Sequence, residues 1–504
     1  MMKEIAKETN RYANHFVKST QLTQVSCLSS WEDTDADELW AFFGLITGMG
    51  IIRVASFQDY WSTDAVYSLP FFPSIMTRER FQNLLTFLHF SDEKFIPRGE
   101  EGHDPLFKIS SFLNCLAENF SKNYYPTTNI AIDEAMISWK GRCNVSAPVY
   151  GHRNQDRFGL KIFQLCDSSN AYCCRFEVYT GKKEVSPKGV DYDMAMRLLS
   201  PYLGCGHRLF IDSFFTAPVL FKDLLAAKTT ACGTVRLNRK GLSKMPQNRK
   251  KVVKRKGDVI SMTTGSMNHI RIIGQQQVNF LTSIHTDSMS DTGGQDRTGE
   301  QVNMLDAVRE HSKHMGAVSR SDRLVELSYV KLRRMKWWKK VFFHFFMLAE
   351  RNAYLLYKES TQQPMNYAVF RRELAKEMAS QSPPRLPPRH AALQTGSSSL
   401  HRLTARHFPS KILHPAGFEK RRPRTRLCVV CSTRTGKRKV PGDGRRRKET
   451  TVECVDCNVG LCVIPCFELY HTQKDYKRSY RRLQEVQVQG QDNSAEVSSS
   501  SSSE

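Results

Sequence analysis

The sequence predicts an α/β protein with helical flanks and a small cysteine-rich module near its C-terminus. Three observations point there. Between residues 129 and 237, short apolar runs of strand length alternate with segments of helical period. On either side of that stretch, apolar residues recur every three or four positions, the spacing that gives a helix one buried face. Six of the 14 cysteines fall between Cys428 and Cys466.

The elements follow in chain order. Residues 1–125 read as a helical region. Asp35-Ala-Asp-Glu38 opens a segment with Leu39, Phe42, Phe43 and Ile46 on one face, and Arg78 to Phe90 carries Phe81, Leu84, Leu85 and Leu88 in the same way. The main α/β part is expected over 126–237. Asn129 to Ser138 is a short apolar strand, and Phe158 to Thr180 a hairpin turning at Asp167-Ser-Ser-Asn170. Tyr192 to Leu203 reads as a helix, Arg208 to Phe215 as a buried strand, Pro218 to Ala227 as a helix and Ala231 to Arg236 as a strand. An insertion is expected over 238–300, basic first, then β-like around Val278 to Ile284, closing in a Gly/Asp/Thr-rich loop from Asp287 to Gly299. Helix resumes from Val302 to Glu359 with a break near Gly316, so 301–360 forms the helical second part of the core. A linker is expected over 361–425, with Pro383, Pro384, Pro387 and Pro388 followed by a serine run. The cysteine module occupies 426–480, and a disordered tail 481–504.

The 504 residues suit two or three domains, at about 150 residues each. Apolar residues make up 40% of the chain, enough for a sizeable core. The surplus of 74 Lys+Arg over 50 Asp+Glu leaves a net charge of +24, which favours a polyanionic partner, since each neutralised phosphate releases counterions. Met1 to Lys18 is polar and unlike a signal peptide, and no apolar stretch approaches the length of a membrane span. The expectation is a soluble intracellular protein, in which disulfides are disfavoured and clustered cysteines need another use.

Asp133 sits inside one apolar strand, with Glu134 beside it, and Asp212 ends another, Leu209-Phe-Ile-Asp212. A carboxylate in such a setting is costly to bury unless it is paired or binds a cation. Two at neighbouring strand ends can share a divalent metal; two-metal phosphoryl transfer needs a third from another element. The alternative is a turn or capping role for each.

The surrounding residues go further. Asn129-Ile-Ala-Ile-Asp-Glu-Ala-Met-Ile-Ser-Trp-Lys-Gly-Arg142 resembles the segment around the first catalytic aspartate of piggyBac transposases, and Phe210-Ile-Asp-Ser-Phe-Phe-Thr216 followed by Gly233-Thr-Val-Arg236 resembles the second. Glu8 to Tyr12, Tyr60 to Ser62, Leu88 to Phe90, Glu177 to Gly181, Asn352 to Tyr354 and His407 to Pro409 have counterparts in the same family. The tail Gly460 to His471 is similar to that of vertebrate transposable-element-derived proteins, subgroup four most closely. The resemblance implies a ribonuclease-H-like core with a mainly β insertion, aspartates binding two Mg²⁺, cleavage of double-stranded DNA at transposon ends, integration at TTAA, and a homodimer. One departure stands out. Where the family reads Met-Gly-Gly-Val-Asp-x-x-Asp, this chain has Met315-Gly-Ala-Val-Ser319-Arg-Ser-Asp322. The resemblance thus implies Asp133, Asp212 and Asp322 as the Mg²⁺ ligands, with Ser319, a neutral hydroxyl, replacing a catalytic aspartate and impairing the reaction. A descendant that binds DNA or chromatin without cutting, or a zinc-dependent protein-interaction factor, are the competing readings.

Cys428-x-x-Cys431 and Cys454-x-x-Cys457, followed by Cys462, Cys466 and His471, carry a strong zinc signal, because two residues between thiolates let both reach one tetrahedral ion. Spacing leaves two pairings open: one site of Cys428, Cys431, Cys454 and Cys457, or a cross-brace joining Cys428 and Cys431 to Cys462 and Cys466. In the cross-brace, Cys454, Cys457 and His471 need a fourth ligand. The family resemblance favours the cross-brace, with His407 or His414 as that ligand. The other eight cysteines read as core residues.

Basic stretches suit phosphate contacts. Arg236 to Lys256 holds ten Lys or Arg and no acid, with Arg249, Lys250, Lys251, Lys254, Arg255 and Lys256 forming a strip that fits DNA binding or nuclear import. Arg445, Arg446, Arg447 and Lys448 lie within the cysteine module. Trp337 and Trp338 among lysines suit either DNA stacking or the core, and His89 and His207 read as structural. The expected location is the nucleus.

Overall fold

The computed structural model describes residues 1–20, 28, 31–91, 96, 100–139, 147–148, 158–181, 186–243, 258–273, 277–295, 301–328, 330, 335–382, 407–412, 424–432, 448–455, 457–473 and 475–484. The chain divides into two compact units, Met1–Phe57 with Phe71–Leu386, and Gln58–Pro70 with Pro387–Glu504.

The first unit opens with helices α1 (Met2–Ser19), α2 (Ala36–Ile51), α3 (Phe71–Ile75), α4 (Arg78–Phe87) and α5 (Ser110–Asn123). Both helices expected from apolar spacing form, each with a side-chain cap: Asp35 accepts the Glu38 N–H and Thr77 the Arg80 N–H. Buried Glu38 ties α2 to α4 by a two-pronged pair with Arg80, at 2.7 and 2.6 Å.

The strands are β1 (Asn129–Ser138), β2 (Ala147–Pro148), β3 (Phe158–Asp167), β4 (Cys173–Val178), β5 (Arg208–Ile211), β6 (Thr230–Thr234), β7 (Val259–Thr264), β8 (Met267–Ile273) and β9 (Gln277–Thr282). They make one mixed sheet in the order β2-β3-β1-β5-β6-β9-β8-β7, with β4 also on β3. Strands β1, β5 and β6 run parallel, which requires crossovers; helices α6 (Val190–Leu199) and α7 (Pro218–Ala226) supply segments of them. One face of the sheet buries Ile130, Ile132, Leu209 and Ile211 against Met194, Leu198, Phe221 and Leu224 of those helices. Residues of opposite parity face the other way, where Phe210 meets the His314 ring at 4.8 Å.

The strand expected over Arg208 to Phe215 stops at Ile211. Thr216 turns back on Asp212, donating its N–H (3.1 Å) and hydroxyl (2.7 Å) to the Asp212 carbonyl. The loop expected over Asp287 to Gly299 contains a strand, β10 (Met289–Gln295), paired with β11 (Gln301–Leu305), so the following helix begins later than its apolar pattern suggests. The helical region is three pieces, α8 (Asp306–His314), α9 (Ala317–Ser328) and α10 (Trp337–Ser360). The first half of the expected linker is instead α11 (Tyr367–Ser380), capped by Asn366 and packed along α2. Its Arg371 forms a buried pair with Glu350 of α10, which also accepts the Thr47 hydroxyl at 3.2 Å.

Buried Asp167 anchors the entry to β1. It accepts hydrogen bonds from Tyr124 (3.0 Å), the Thr127 N–H and hydroxyl, and the Ser169 N–H (2.7 Å) and hydroxyl (2.6 Å). Burial alone would raise its pKa, but these donors outweigh burial and hold it below the usual carboxylate value. His207 donates its Nδ1–H to the Thr127 carbonyl (3.0 Å), and His89 stacks on Tyr12 (3.6 Å), the structural roles expected. Trp337 and Trp338 are half-buried, Trp338 edge-on to His89. Cys166, Cys173, Cys174 and Cys232 are buried in the core. Among the described residues no helix is long and apolar enough to cross a membrane.

The crossing of α2 and α11 depends on Gly44: a Cβ there would lie 2.7 Å from the Ala375 carbonyl oxygen and 2.8 Å from the Ala379 nitrogen. Because those atoms are backbone, no rotamer change relieves the clash. Gly44→Ala is expected to lower stability by about 1–3 kcal/mol in urea unfolding, with no rescue by Ala375→Gly; an unchanged midpoint refutes the close-approach argument.

Candidate metal centres

The first centre follows from strand register. Ile132 pairs with Ile211 in the parallel β1–β5 ladder, so Asp133 and Asp212 are the next residues on adjacent strands. Strands lie about 4.8 Å apart, and same-register side chains share a face, so the two carboxylates converge. They do so at the carboxyl end of β5, where a parallel sheet opens a crevice for ligands. Oxygens of Asp133, Glu134 and Asp212 all lie within 4.8 Å of one another.

β1 outruns β5 there, leaving its edge N–H groups without a strand partner. Side chains take them instead: the Glu134 N–H donates to Asp133 (2.8 Å) and the Met136 N–H to Asp322. Asp212 in turn accepts the Phe214 N–H (3.0 Å). Arg239, paired with Asp191 at 2.6 Å, holds the turn after Asp212 by donating to the carbonyls of Ser213 (3.0 Å) and Phe214. Gly233 is needed alongside, since a Cβ would lie 2.2 Å from the Thr216 hydroxyl. His311 of α8 bonds the Ile211 carbonyl at 3.0 Å.

Burial pushes Asp133 up to about 7, the charges of Asp212 and Glu134 adding to it and the Glu134 N–H opposing. Asp212 is raised too, by burial and then Glu134, against the Phe214 and Phe215 N–H groups and Lys161. A cluster that resists ionisation in this way is what a divalent cation relieves, and three hard oxygen donors suit Mg²⁺ or Mn²⁺.

Asp322 and Ser319 lie on α9, which packs against β1. Ser319 is exposed; Asp322 is half-buried and raised to about 6 by burial and then Glu326, against the Met136 N–H. Asp322 stands outside the three-carboxylate group formed among the described residues. Lys161 and Gln164 of β3 were not singled out by sequence. Lys161 pairs with Glu134 and covers the rings of Phe163 and Phe214, and Gln164 lies directly across from Asp133. Their signal is alternation along the β3 apolar run, which becomes informative only once β3 is known to flank β1.

The second unit holds two further ligand sets, Cys428, Cys431, Cys462 and Cys466, and His407, Cys454, Cys457 and His471. Local structure explains both. Strand β13 (Arg426–Leu427) pairs with β14 (Glu449–Thr450) and delivers Cys428 beside Gly460. Strands β12 (Pro409–Lys411), β15 (Val452–Cys454) and β16 (Val459–Gly460) form a sheet in which Pro409 faces Cys454, bringing His407 to that knuckle. Asn458 takes the left-handed conformation, φ 53, that turns β15 into β16. The Cys431 and Cys462 sulfurs are 3.7 Å apart, and His407 Nδ1 lies 3.4 and 3.6 Å from the sulfurs of Cys454 and Cys457. Ligands at Zn–S and Zn–N lengths around a tetrahedral ion lie about 3.5–3.8 Å apart. His471 donates its Nδ1–H to the Phe467 carbonyl at 2.8 Å, which makes Nε2 the acceptor nitrogen, 3.6 Å from the Cys457 sulfur. The sets interleave along the chain, the cross-brace arrangement, with His407 completing the second. His414 lies outside the described residues, as do Arg249 to Lys256 and Arg445 to Arg447; Lys448 is exposed.

Two outcomes follow. An acid whose folded pKa exceeds its unfolded value of about 3.9 adds stability below that pH and loses it as pH rises through the folded value, here about 7. Without divalent cation, Asp133→Asn is therefore expected to melt above the parent at pH 8 and with it at pH 4; equal melting at both overturns the assignment. Native mass spectrometry of the full chain is expected to find two zinc ions, falling to one in His407→Ala; loss of neither ion removes His407 from the set.

Residues 1–354 match the family described as Transposase IS4. Human PiggyBac transposable element-derived protein 3 is 24% identical over 455 residues, covering 87% of this chain and 70% of that protein. Human PiggyBac transposable element-derived protein 5 is 22% identical over 381 residues, covering 71% of this chain and 69% of that protein. The fold is similar to that of piggyBac transposase in a cryo-EM synaptic complex with hairpin DNA, with a TM-score of 0.63 and 20% identity over 76% of this chain and 80% of the other. The chain belongs to the Transposase IS4 family, and these human relatives are PiggyBac transposable element-derived proteins.

Proposed function

We propose that this chain is a DNA-binding protein derived from a piggyBac-type transposase, whose ribonuclease-H-like core ancestrally cut and joined DNA at TTAA sites, and in which Ser319 impairs that reaction. The observation that carries the reading is the register that sets Asp133 beside Asp212 at the open end of parallel strands. Asp133 and Asp212 would hold two Mg²⁺ ions there, which would supply Lewis-acid stabilisation of attacking and leaving phosphate oxygens. Asp133 and Asp212 hold the charge such ions need, and the Arg239-braced turn keeps Asp212 oriented. Asp322 accepts the Met136 N–H, as Asp133 and Asp212 accept backbone N–H groups of their own, so it keeps an oxygen for a cation, whereas the exposed Ser319 hydroxyl carries no charge to offer.

In this reading the two cysteine–histidine sets bind structural zinc, which folds a module whose core is too small to hold alone. The basic strips Arg249 to Lys256 and Arg445 to Lys448 meet the phosphates of double-stranded DNA, and the protein works in the nucleus as a homodimer. Ser319 also favours a second reading, a factor that binds DNA or chromatin without cutting it.

The test is an end-cleavage assay on TTAA-flanked duplex with Mg²⁺, alongside a salt titration of binding. The parent is expected to bind with steep salt dependence and nick poorly, and Ser319→Asp to nick at least about tenfold faster. A parent that already cuts as fast as Ser319→Asp overturns the impairment. Binding without nicking in either protein supports the non-cutting factor, and salt-insensitive or absent DNA binding supports a protein partner for the zinc module.

A further inference from the structure

Glu134 follows Asp133 on β1, and strand alternation alone would turn its side chain away. Yet its carboxylate joins those of Asp133 and Asp212 within 4.8 Å, at the point where the β1–β5 ladder has ended and β1 is flanked by β3 alone. Neither α9 position that the family resemblance marks as acidic joins this group: position 319 is an exposed serine, and Asp322 stands outside the set of oxygens that lie within 4.8 Å of one another among the described residues.

We propose that Glu134 is the third metal-binding carboxylate of this pocket, so that the chain still binds a divalent cation although position 319 is no longer acidic. The proposal rests on the reading of the pocket as a transposase-type metal site.

Lys161 makes the arrangement workable. Its ammonium pairs with Glu134 and stands 4.7 and 4.4 Å over the rings of Phe163 and Phe214. One of the three acids thus already pairs with the protein's own ammonium, and the Glu134 side chain, 26% exposed, has room to turn from Lys161 to an incoming ion. An independent observation points to a ligand on the Asp133 face. Gln164 is fully buried directly across from Asp133, and its Nε2 has no hydrogen-bond partner among the described residues, while its Oε1 takes the Cys166 thiol at 3.8 Å. A buried donor left unpaired is costly. An oxygen arriving with the cation, a coordinated water or a phosphate oxygen, satisfies it.

The experiment is a calorimetric titration of Mn²⁺ into the zinc-loaded full chain at pH 8. Glu134→Gln and Asp133→Asn are each expected to weaken binding at least about tenfold, the scale on which even outer partners of a metal act, while Asp322→Asn leaves it unchanged. Lys161→Met separates a ligand from a structural acid. If Glu134 binds the ion, removing the competing ammonium leaves Mn²⁺ binding as tight or tighter; if Glu134 only pairs with Lys161, the two variants weaken binding alike, which overturns the proposal. Should Glu134→Gln fail to fold, Glu134→Asp, which keeps the charge but shortens the reach, is expected to bind more weakly than the parent, and unaltered binding overturns the proposal. Loss of binding in Asp133→Asn with none in Glu134→Gln refutes Glu134 alone. Parent-like binding in both variants, or no Mn²⁺ binding by the parent, refutes the metal-site reading with it.

Discussion

The parallel pairing of β1 with β5 is the constraint on which the first centre depends. Matching Ile132 to Ile211 makes Asp133 and Asp212 neighbours, and a slip of one residue would send one carboxylate to the opposite face. The register is held from both ends. Asp167 ties the chain entering β1 to the hairpin turn, and the Arg208 N–H bonds the Thr128 carbonyl at 2.7 Å where the two strands begin. The apolar layer of Ile130, Ile132, Leu209 and Ile211 against α6 and α7 then makes any other register expensive.

Around that pair the protein treats charge unevenly. Asp167, surrounded by donors, is comfortable as an anion; Asp133 and Asp322, buried with fewer donors and with acidic neighbours, are not. The same residue type is a structural anchor in one place and a group awaiting a cation in another, and the difference lies in the count of N–H and O–H groups aimed at it. Lys161 moderates the tension from one side, bonded to Glu134 and backed by aromatic rings.

The second unit solves a different problem. Among the described residues its buried core cluster is Cys428, Val430, Cys454, Leu461 and Cys466, a small one to order a module by burial. Two interleaved sets of sulfur and nitrogen that could each hold a metal ion are drawn from strands, turns and a short helix at Glu468–Thr472. Cys428 is drawn down by the Cys466 thiol, burial opposing, the direction that favours a metal-binding thiolate.

Local sequence determined the helices at Ala36 and Arg78, the β1 strand and the Asp167 hairpin, because apolar period and capping residues act within a few positions of themselves. It also singled out Asp133, Asp212 and the cysteines as candidates, since their cost or spacing is visible along the chain. Tertiary structure alone decided which groups meet. Spacing left two zinc pairings open, and His407 enters its set only because β12 lies beside β15. Glu134, Lys161 and Gln164 become site residues only through the flanking of β1 by β3, and Asp322 is drawn to an edge N–H that exists because β5 stops short. The β10–β11 pairing and the packing of α11 on α2 were hidden for the same reason: a ladder partner and a helix-to-helix contact are long-range facts, and no local pattern encodes them.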